Sequence, residues 1–364
     1  MRAMDGTAFA DVTLRRLEKN GCLAAEGLWR EVFSEDTEAF TSYYFSQKAP
    51  ENRGLVLEGP EGIRSMLYLT PERMRVLGKE AASSYLVGVA TREVWRHRGY
   101  MAALLKEAMA LLQREGMPFC FLMPASPKIY APFGFAYIYD RPVWDVSSLQ
   151  KERLTRLSEQ DAKRAAAFAE DFLSAHKGVY VFRDQAYYRQ QAAELAAQNG
   201  CIYGYEEDGV LRGLCMYTCE EGRPEILEVL AEKEIEERFV LRRREKRPLI
   251  MARILHVPAA LALLKSCKRR RFAVEVKDPL LSDNNGVLFC DADGSGTDVE
   301  TLTAADGWKR TEDGLSLERG GERIPLLSAD PARLTEWLFG YRPLPEEIRD
   351  AVRPLAPVWI NETV

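Results

Sequence analysis

The sequence predicts an α+β protein of two or three domains, and three observations support this. The chain has 364 residues, which is more than one ordinary domain contains. Its hydrophobic fraction of 46% is sufficient for real cores. Strand-like and helix-like segments alternate up to about Asp145, as in a layered architecture of strands and helices.

The first block is predicted to begin with a strand and two helical segments, followed by a hairpin. The hairpin is indicated by the turn Gly59-Pro60-Glu61-Gly62 between two apolar runs. A strand, a helix and a buried strand complete this block. The helix is indicated by apolar residues recurring at helical spacing from Met101 to Leu112. In order, the predicted segments are 12–17, 23–33, 37–45, 54–58, 62–68, 85–91, 99–115 and 119–124.

The remaining chain divides into two further blocks. The second is predicted to contain helices near 150–157, 159–175 and 185–198, then a hairpin of 201–206 and 210–218 around Glu207-Asp208-Gly209. The third begins near Pro248, with a helix over 257–266, a strand over 272–276, a turn region over 278–286 and a last helix over 329–339. No period of 20–50 residues recurs, which argues against a solenoid.

Charge and composition exclude several classes of protein. A net charge of −5 and a pI near 5.6 disfavour a nucleic-acid partner, because binding phosphates requires a basic face. We interpret the basic runs 242–247 and 268–271 as solvated or interdomain faces, with a polyanion site as the alternative.

Cysteine and histidine usage indicates neither disulfides nor a metal. The seven cysteines include no C-x-x-C pair, and the three histidines lie far apart in the chain. There is no signal-like apolar region at the N-terminus and no stretch near the ~20 apolar residues of a membrane span. We therefore expect a cytoplasmic, thiol-reduced protein without a metal or a membrane span.

The segment from Leu86 to Ala102 carries the main chemical signal. An apolar strand runs into a basic turn, and a helix leaves it at Gly99. The first amides of a helix have no intrahelical partner, and the helix dipole adds about half a positive charge there. Gly99 allows close approach to the backbone, while Arg96 and Arg98 add formal charge. The turn therefore predicts a pyrophosphate site, with a helix start and an incidental arginine pair as the alternative.

Two other phosphate-binding motifs are excluded. The chain contains no G-x-x-x-x-G-K-[ST], which argues against a P-loop nucleotidase. It also contains no G-x-G-x-x-G, the fingerprint of a dinucleotide site.

A downstream segment makes the signal specific. The buried-type strand Phe119 to Pro124 is followed by Ile129-Tyr130-Ala131-Pro132-Phe133-Gly134-Phe135. The order strand, R-x-x-G-x-x, helix, strand and I-Y-x-x-F-G-F resembles the GNAT superfamily of N-acetyltransferases. Within it the chain is similar to the enhanced-intracellular-survival (Eis) type, over its whole length. That similarity includes the segments 278–286, 337–342 and 360–364.

The resemblance implies three domains: an N-terminal GNAT domain (1–147), a central GNAT-like domain without cofactor (148–247) and a C-terminal sterol-carrier-type domain (248–364). It implies a GNAT fold with a mixed central sheet, and a homo-oligomer, possibly a hexamer. It also implies an acetyl-CoA site, with the thioester near a general acid at Tyr130 and a general base at the terminal carboxylate of Val364. The cofactor-binding positions would be Val89, Ala90, Thr91, Arg96, His97, Arg98, Gly99, Tyr100, Met101, Ala102, Ala125 and Ser126.

These roles can be weighed physically. A tyrosine with a pKa of about 10 can protonate a thiolate of pKa about 8.5 only when it is well positioned. An α-carboxyl group of pKa about 3.5 is a weak base for an ammonium, so burial or a water relay is needed. The alternatives are a core aromatic for Tyr130 and a frayed terminus for Val364. The apolar run Val358-Trp359-Ile360 favours a docked tail.

Some positions depart from the family pattern. Met101 stands where many GNAT members carry Gly or Ala, and the pair Thr91-Arg92 leaves the loop geometry open. Glu31, Glu35 and Asp36 could form an acidic lining for a cationic amine or be plain surface carboxylates.

The sequence therefore predicts direct acetyl transfer to an amine on a small molecule or peptide: an aminoglycoside-like compound, a small polyamine or a lysine. The alternatives are a lipid-binding carrier and a non-catalytic GNAT scaffold.

Overall fold

The computed structural model describes residues 11–362, and it consists of short helices packed on several β-sheets. The strands are β1 Thr13–Leu17, β2 Arg53–Gly59, β3 Gly62–Val76, β4 Lys79–Thr91, β5 Phe119–Leu122, β6 Ala136–Trp144, β7 Thr155–Arg156, β8 Val179–Val181, β9 Cys201–Glu207, β10 Val210–Glu220, β11 Arg223–Ala231, β12 Arg243–Ile254, β13 Lys265–Ser266, β14 Arg270–Val276, β15 Gly286–Ala292, β16 Thr297–Thr301, β17 Lys309–Arg310, β18 Ser316–Arg319, β19 Glu322–Ala329, β20 Val352–Arg353 and β21 Val358–Trp359.

The α-helices are mostly short, and 3₁₀ turns or a π turn extend some of them. They are α1 Glu26–Val32, α2 Glu38–Tyr43, α3 Tyr100–Arg114, α4 Pro127–Tyr130, α5 Ala162–His176, α6 Gln185–Ala197, α7 Lys233–Glu236, α8 Val257–Leu261, α9 Pro331–Leu338 and α10 Glu346–Arg349. In the part of the chain that the structure describes, no helix is both long and apolar enough to cross a bilayer.

The first sheet is mixed and nine-stranded, and it carries the predicted nucleotide-binding turn. Its main path runs β1-β2-β3-β4-β5-β12-β6, and β8 and β21 extend it from β3. β12 pairs antiparallel with both β5 and β6. The boundary expected between the central and C-terminal domains, at residues 247 and 248, therefore falls inside β12 of this sheet.

The two central strands of this sheet diverge. β4 and β5 are parallel neighbours, yet their only registered pair is Tyr85 with Phe121. Beyond that pair the strands separate toward their carboxyl ends, where β4 leads into the basic turn and β5 leads into α4. The gap between them is the place where a ligand can reach backbone groups inside a sheet.

α3 covers the first sheet with the apolar face that the sequence predicts. Leu104, Leu105, Ala108, Met109 and Leu112 are all fully buried. The helix ends in a Schellman arrangement, because the amide of Met117 donates to Leu112 O at 3.1 Å and Gly116 takes φ +77°. This packing fixes the direction in which the helix N-terminus points.

Two other sheets lie beside the first. A four-stranded sheet has the order β11-β10-β9-β7, and α5 and α6 contact it. A six-stranded sheet has the order β16-β15-β14-β19-β18-β17. One extended core joins the first sheet to parts of both, and two smaller clusters lie around Phe239 and around Ile324.

Most predicted elements agree with the structure, but two helices do not. The charged segment 150–157 forms a 3₁₀ turn, Lys151–Arg153, and the short strand β7. The predicted helix over 257–266 stops at Leu261, and Lys265–Ser266 pairs with β20 instead. In both places a local helical pattern gives way to pairing with a strand distant in sequence.

Candidate active site

The turn between β4 and α3 leaves a helix N-terminus open. Gly99 is the N-cap of α3 with φ 85° and ψ 6°, and as a glycine it supplies no side-chain cap. His97 also has positive φ, at 62°, which is uncommon for a residue with a side chain. Within residues 11–362, no heavy atom lies within 4 Å of a Cβ built on Gly99. The backbone at the start of α3 can therefore be approached closely at Gly99, as an anion site requires.

A buried arginine supports this turn from below. Arg64 on β3 is only 2% exposed, and it forms ion pairs with Glu61 and Asp11. It also donates to the hydroxyl of Tyr100 at 3.1 Å, and its carbonyl accepts from the amide of Arg92 at 2.9 Å. These contacts tie the ends of the turn to the neighbouring strand.

The predicted arginines take different positions. Two guanidinium groups lie over the indole of Trp95, that of Arg64 at 3.6 Å and that of Arg98 at 4.4 Å from the ring centroid. Arg96 donates from Nε to the carbonyl of Thr91 at 3.2 Å and so closes the turn. Both Arg96 and Arg98 remain exposed at the mouth of the turn, where they add positive charge.

A bulge in β4 brings the strand backbone toward the gap. Tyr68 pairs with Val87 and Met66 pairs with Ala90, so β4 has one residue more than β3 between these pairs. Gly88 in this bulge has φ +61°, and a Cβ there would lie 2.7 Å from the ring of Trp29. Only glycine suits both the backbone conformation and the close approach of the indole.

The three predicted strand residues differ in their surroundings. Val89 lines the cavity between the strands. The carbonyl of Ala90 accepts from the hydroxyl of Ser65 at 2.9 Å, and the hydroxyl of Thr91 lies 2.8 Å from that of Ser65. Ala90 and Thr91 thus fix the strand to β3, while Val89 faces the gap.

A cavity of about 350 Å³ occupies the gap between β4 and β5, and we call it the central cavity. Tyr130 from α4 lines it, is 6% exposed and packs edge-on against Phe135 at 6.0 Å between ring centroids. Burial raises the pKa of Tyr130, so its hydroxyl keeps its proton at neutral pH. Ala125 also lines the cavity, and Ser126 is the N-cap residue of α4. The lining residues are Trp29, Phe33, Asp36, Tyr85, Leu86, Val87, Gly88, Val89, Met123, Pro124, Ala125, Tyr130, Tyr137, Pro248 and Leu249.

A second cavity of about 520 Å³ adjoins the central cavity, and we call it the acidic cavity. The two share Asp36 and Met123. Its carboxylates come from three parts of the chain: Glu35, Asp36, Glu194, Glu220, Glu221 and Glu225. The two arginines in its lining, Arg141 and Arg223, form ion pairs with Glu225 and Glu221 at 2.6 and 2.5 Å.

The acidic residues weighed in the sequence separate here. Glu35 and Asp36 line the acidic cavity, whereas Glu31 forms an ion pair with Arg92 at 3.1 Å. Asp36 accepts a hydrogen bond from the indole of Trp29 at 2.8 Å. Burial, followed by the Glu35 and Glu220 carboxylates, raises the pKa of Asp36 against the opposing effect of that hydrogen bond.

The last described residues join the first sheet. β21 pairs in parallel with β8, and Trp359 donates from its indole to Glu228 at 2.6 Å. Burial raises the pKa of Tyr85 on the wall of the central cavity, and so do the carboxylates of Glu194, Glu362 and Glu72. The charge of Glu362 thus acts on that wall. Val364, the predicted general base, is outside the described residues.

Residues 13–138 match the family model of the acetyltransferase (GNAT) domain. This range contains β1, the basic turn, α3, Tyr130 and most of the lining of the central cavity. The predicted GNAT domain is thereby confirmed at the level of the family model. No curated protein matches the chain by sequence.

Solved structures extend the similarity beyond the GNAT domain. A conserved protein of unknown function from Enterococcus faecalis V583, named as a probable N-acyltransferase, superposes with a TM-score of 0.72 at 17% identity, covering 91% of this chain and 90% of that one. A GCN5-related N-acetyltransferase from Anabaena variabilis gives a TM-score of 0.69 at 14% identity over 90% of both chains.

A similarity to the type that the sequence resembles is also found. Eis1 from Mycobacterium abscessus gives a TM-score of 0.62 at 14% identity, covering 89% of this chain and 88% of that one. Such identities establish a shared fold, and they do so over nearly the whole length of both chains.

Two features of the site were missed by the sequence analysis. Arg64 supports the basic turn between β4 and α3, but its position in an apolar strand carried no signal except its charge. Residues 220–225 contribute three carboxylates to the acidic cavity from a distant hairpin. Only the folded chain brings that hairpin to the segment between α1 and α2, so no local pattern could indicate it.

Proposed function

We propose that the chain is an acetyl-CoA-dependent N-acetyltransferase that transfers the acetyl group directly to a cationic amine. One observation carries this proposal: β4 ends at an open, basic helix N-terminus, and the same strand walls a cavity that contains Tyr130. The first feature suits a diphosphate and the second a thioester, as the two ends of one acyl-CoA molecule require.

The residues present fit the diphosphate end. The amides of Met101 and Ala102 in the first turn of α3, the αL backbone at Gly99 and the exposed Arg96 and Arg98 would hold it. His97, Tyr100, Met101 and Ala102 would surround it as the resemblance implies. Val89 on the strand and Ala125 beside α4 would contact the pantetheine, with Ala90, Thr91 and Ser126 holding the adjoining backbone.

The chemistry needs two proton movements. Acetyl-CoA supplies an activated acyl group: a C–N bond forms to the amine and the C–S bond breaks. Tyr130 would donate its hydroxyl proton to the departing thiolate sulfur, and its raised pKa keeps that proton available. The amine must lose a proton, and we propose the terminal carboxylate of Val364 as its acceptor. Holding the amine against the thioester provides the larger part of the rate enhancement.

The acidic cavity supports a cationic acceptor. Glu35, Asp36 and Glu220 are carboxylates of its lining without an arginine or lysine partner among the described residues. An ammonium group entering this cavity would meet them and continue past Asp36 to the central cavity. Aminoglycoside-like compounds, small polyamines and lysine side chains all have the required charge.

The alternative function of a lipid carrier finds less support. A cavity on the six-stranded sheet is lined by the aromatic side chains of Phe289 and Trp308 but also by five charged residues. Those are Arg271, Glu300, Asp306, Arg319 and Glu322. The sterol-carrier-type domain, the central GNAT-like domain and the homo-oligomer stay predictions from the resemblance.

The experiment that tests the function is an amine panel with acetyl-CoA, read by release of free thiol. We expect turnover with polyamine or aminoglycoside acceptors, and a fall in kcat of about 10²–10⁴-fold for Tyr130→Phe. Tyr137→Phe is the matched variant inside the same cavity, and Tyr205→Phe is the control outside it. Full activity in Tyr130→Phe together with loss of activity in Tyr137→Phe would show that Tyr130 is not the general acid.

A further inference from the structure

Three strands from separate parts of the chain meet at Arg183. β21 pairs in parallel with β8, with Trp359 opposite Tyr180. β8 pairs antiparallel with β3, with Met74 opposite Val181, and the amide of Phe182 donates to Arg73 O at 2.7 Å. Following both registers toward Arg183 brings Glu72 to one side of it and Glu362 to the other. We call these three residues the buried row, and residues 358–362 the tail.

Arg183 and Glu362 are held by direct contacts, whereas Glu72, which is partly exposed, is placed beside Arg183 by the strand register. Arg183 donates to both carboxylate oxygens of Glu228 at 2.6 and 3.0 Å, and to Glu362 at 3.4 Å. The hydroxyl of Tyr187 donates to the same Glu362 oxygen at 3.0 Å. Arg183, Glu228 and Glu362 are 2%, 2% and 8% exposed, so solvent screens these charges little.

The tail is tied to the same group of residues. The indole of Trp359 donates to Glu228 at 2.6 Å, and the amide side chain of Asn361 donates to Leu227 O at 2.8 Å. The guanidinium of Arg183 thus joins Glu228 on β11 to Glu362 on the tail. Glu228 also accepts directly from Trp359 of the tail. The contacts of Arg183 therefore decide where the tail lies.

The charges in this place do not balance. Three carboxyl groups, from Glu72, Glu228 and Glu362, face the one guanidinium of Arg183. Of two further cations, Lys48 on the π turn after α2 is already paired with Glu194 on α6 at 2.5 Å. The other, Lys177, has its ammonium group 4.3 Å from the ring centroid of Trp359 and interacts with the Glu228 carboxylate. Four phenols also act on these groups: Tyr85 on β4, Tyr139 on β6, and Tyr187 and Tyr188 on α6.

Burial acts on the surplus carboxyl groups. It raises the pKa of Glu72 to about 8, with the Glu362 carboxylate as the second cause, while Lys48 and Arg183 oppose the shift. Burial also raises the pKa of Glu362, against the opposing effect of Arg183. One Glu362 oxygen is buried without a hydrogen-bond partner among the described residues. A group of three carboxyls around one cation is expected to retain a proton in such surroundings.

We propose that Arg183 is a positioning residue that holds the tail against the sheet beside the central cavity, and that a proton kept within the buried row is required for this docking. If Glu72 and Glu362 are both ionised, one negative charge lies on each side of the Arg183 guanidinium. That guanidinium is already paired with both carboxylate oxygens of Glu228. The carboxylate able to leave is Glu362, because it lies on the tail near the end of the chain.

The sign of the pH effect follows. Glu72 has a pKa above its ordinary value when the tail is docked, so the docked form binds the proton more tightly than the open form. The stabilisation of docking is complete at low pH and is lost as the pH rises through about 8. Between pH 7 and pH 9 the opening equilibrium of the tail should increase by about 10-fold, the limit for one proton with a docked pKa in the middle of this range.

Hydrogen exchange of peptides covering the tail, corrected for the intrinsic pH dependence of exchange, measures this opening in the full chain. We expect about a 10-fold increase for the wild-type protein and less than about 2-fold for Glu72→Gln, which keeps the shape and removes the charge. Glu152→Gln, an exposed glutamate on a 3₁₀ turn, is the control and should follow the wild type. Glu362→Gln provides a second variant and should also show a flat response.

Two results would overturn the proposal. One is a wild-type tail whose opening does not change between pH 7 and pH 9. The other is a Glu72→Gln tail with the same pH dependence as the wild type.

The consequence for catalysis rests on the proposed function, whereas the docking itself does not. If the tail carries the base, kcat should fall as the pH rises from 7 to 9 in the wild type but not in Glu72→Gln, and the KM for acetyl-CoA should stay unchanged. An opening tail with a constant kcat would refute the role of the tail in acetyl transfer and leave its docking established. Absence of transfer with every amine would refute the proposed function alone.

Discussion

Replacing Gly99 by alanine separates the role of this residue in the fold from its role in binding. Gly99 has φ 85°, and a Cβ there meets no heavy atom of residues 11–362 within 4 Å. The cost to folding is therefore that of a left-handed backbone alone, roughly 1–2 kcal/mol. The open space around the new methyl group is also the space that a diphosphate on the α3 amides would occupy.

The same helix offers a matched control. Gly116 follows the other end of α3 and has φ +77°, and in the described part of the chain no heavy atom lies within 4 Å of a Cβ built there. Gly116→Ala should therefore lose about the same roughly 1–2 kcal/mol of unfolding free energy. It lies at the carboxyl end of the helix, where no anion is expected.

The assay compares urea unfolding with calorimetric titration of CoA. We expect both variants to lose similar stability and only Gly99→Ala to lose affinity, by roughly 10–100-fold, which is about 1.4–2.7 kcal/mol. Equal affinities for CoA in the two variants and the wild type would refute the assignment of the α3 N-terminus as the diphosphate site.

Three further predictions concern the bulge, the acceptor cavity and the core. Gly88→Ala places a Cβ 2.7 Å from the ring of Trp29 at φ +61°, and should lower the unfolding free energy by roughly 2–4 kcal/mol in urea; a loss below about 1 kcal/mol would contradict the close contact. Asp36→Asn should raise the KM for a polyamine about 10-fold at neutral pH. Glu31→Gln, which removes the partner of Arg92 outside the cavity, should leave this KM unchanged, and equal effects of the two variants would argue against the acidic cavity as the acceptor site. In the wild type, that KM should rise as the pH falls through the raised pKa of Asp36, because the carboxylate becomes neutral. Leu105→Ala on the buried face of α3 should cost about 2–5 kcal/mol of unfolding free energy, and Lys106→Ala less than about 0.5 kcal/mol, in the same denaturation assay.

The sequence was most informative where the structure is local. The apolar face of α3 and the hairpin of β2 and β3 follow from spacing and turn residues within a few positions. The basic turn could likewise be located, because strand, turn and helix are consecutive in the chain. For the same reason Gly99 was found directly from the sequence.

Contacts between segments that are distant in the chain could not be predicted from local sequence patterns. β12 enters the first sheet between β5 and β6 from about a hundred residues away, although its basic half is exposed as the sequence predicts. Arg64 and Arg183 each have an ion-pair partner distant in sequence, Asp11 and Glu228. No local pattern distinguishes a buried, paired arginine from an exposed one, so the supports of the turn and of the tail appeared only in the folded chain.

The central claim is that the amides at the start of α3 bind the diphosphate of an acyl-CoA whose thioester end lies in the central cavity. Hydrogen exchange of peptides covering 98–103, measured with CoA and with pantetheine, tests it most directly, because pantetheine lacks the diphosphate. We predict that CoA slows exchange in this segment by at least about 10-fold and that pantetheine at the same concentration does not. Equal protection by both ligands, or protection by CoA only in other parts of the chain, would contradict the claim.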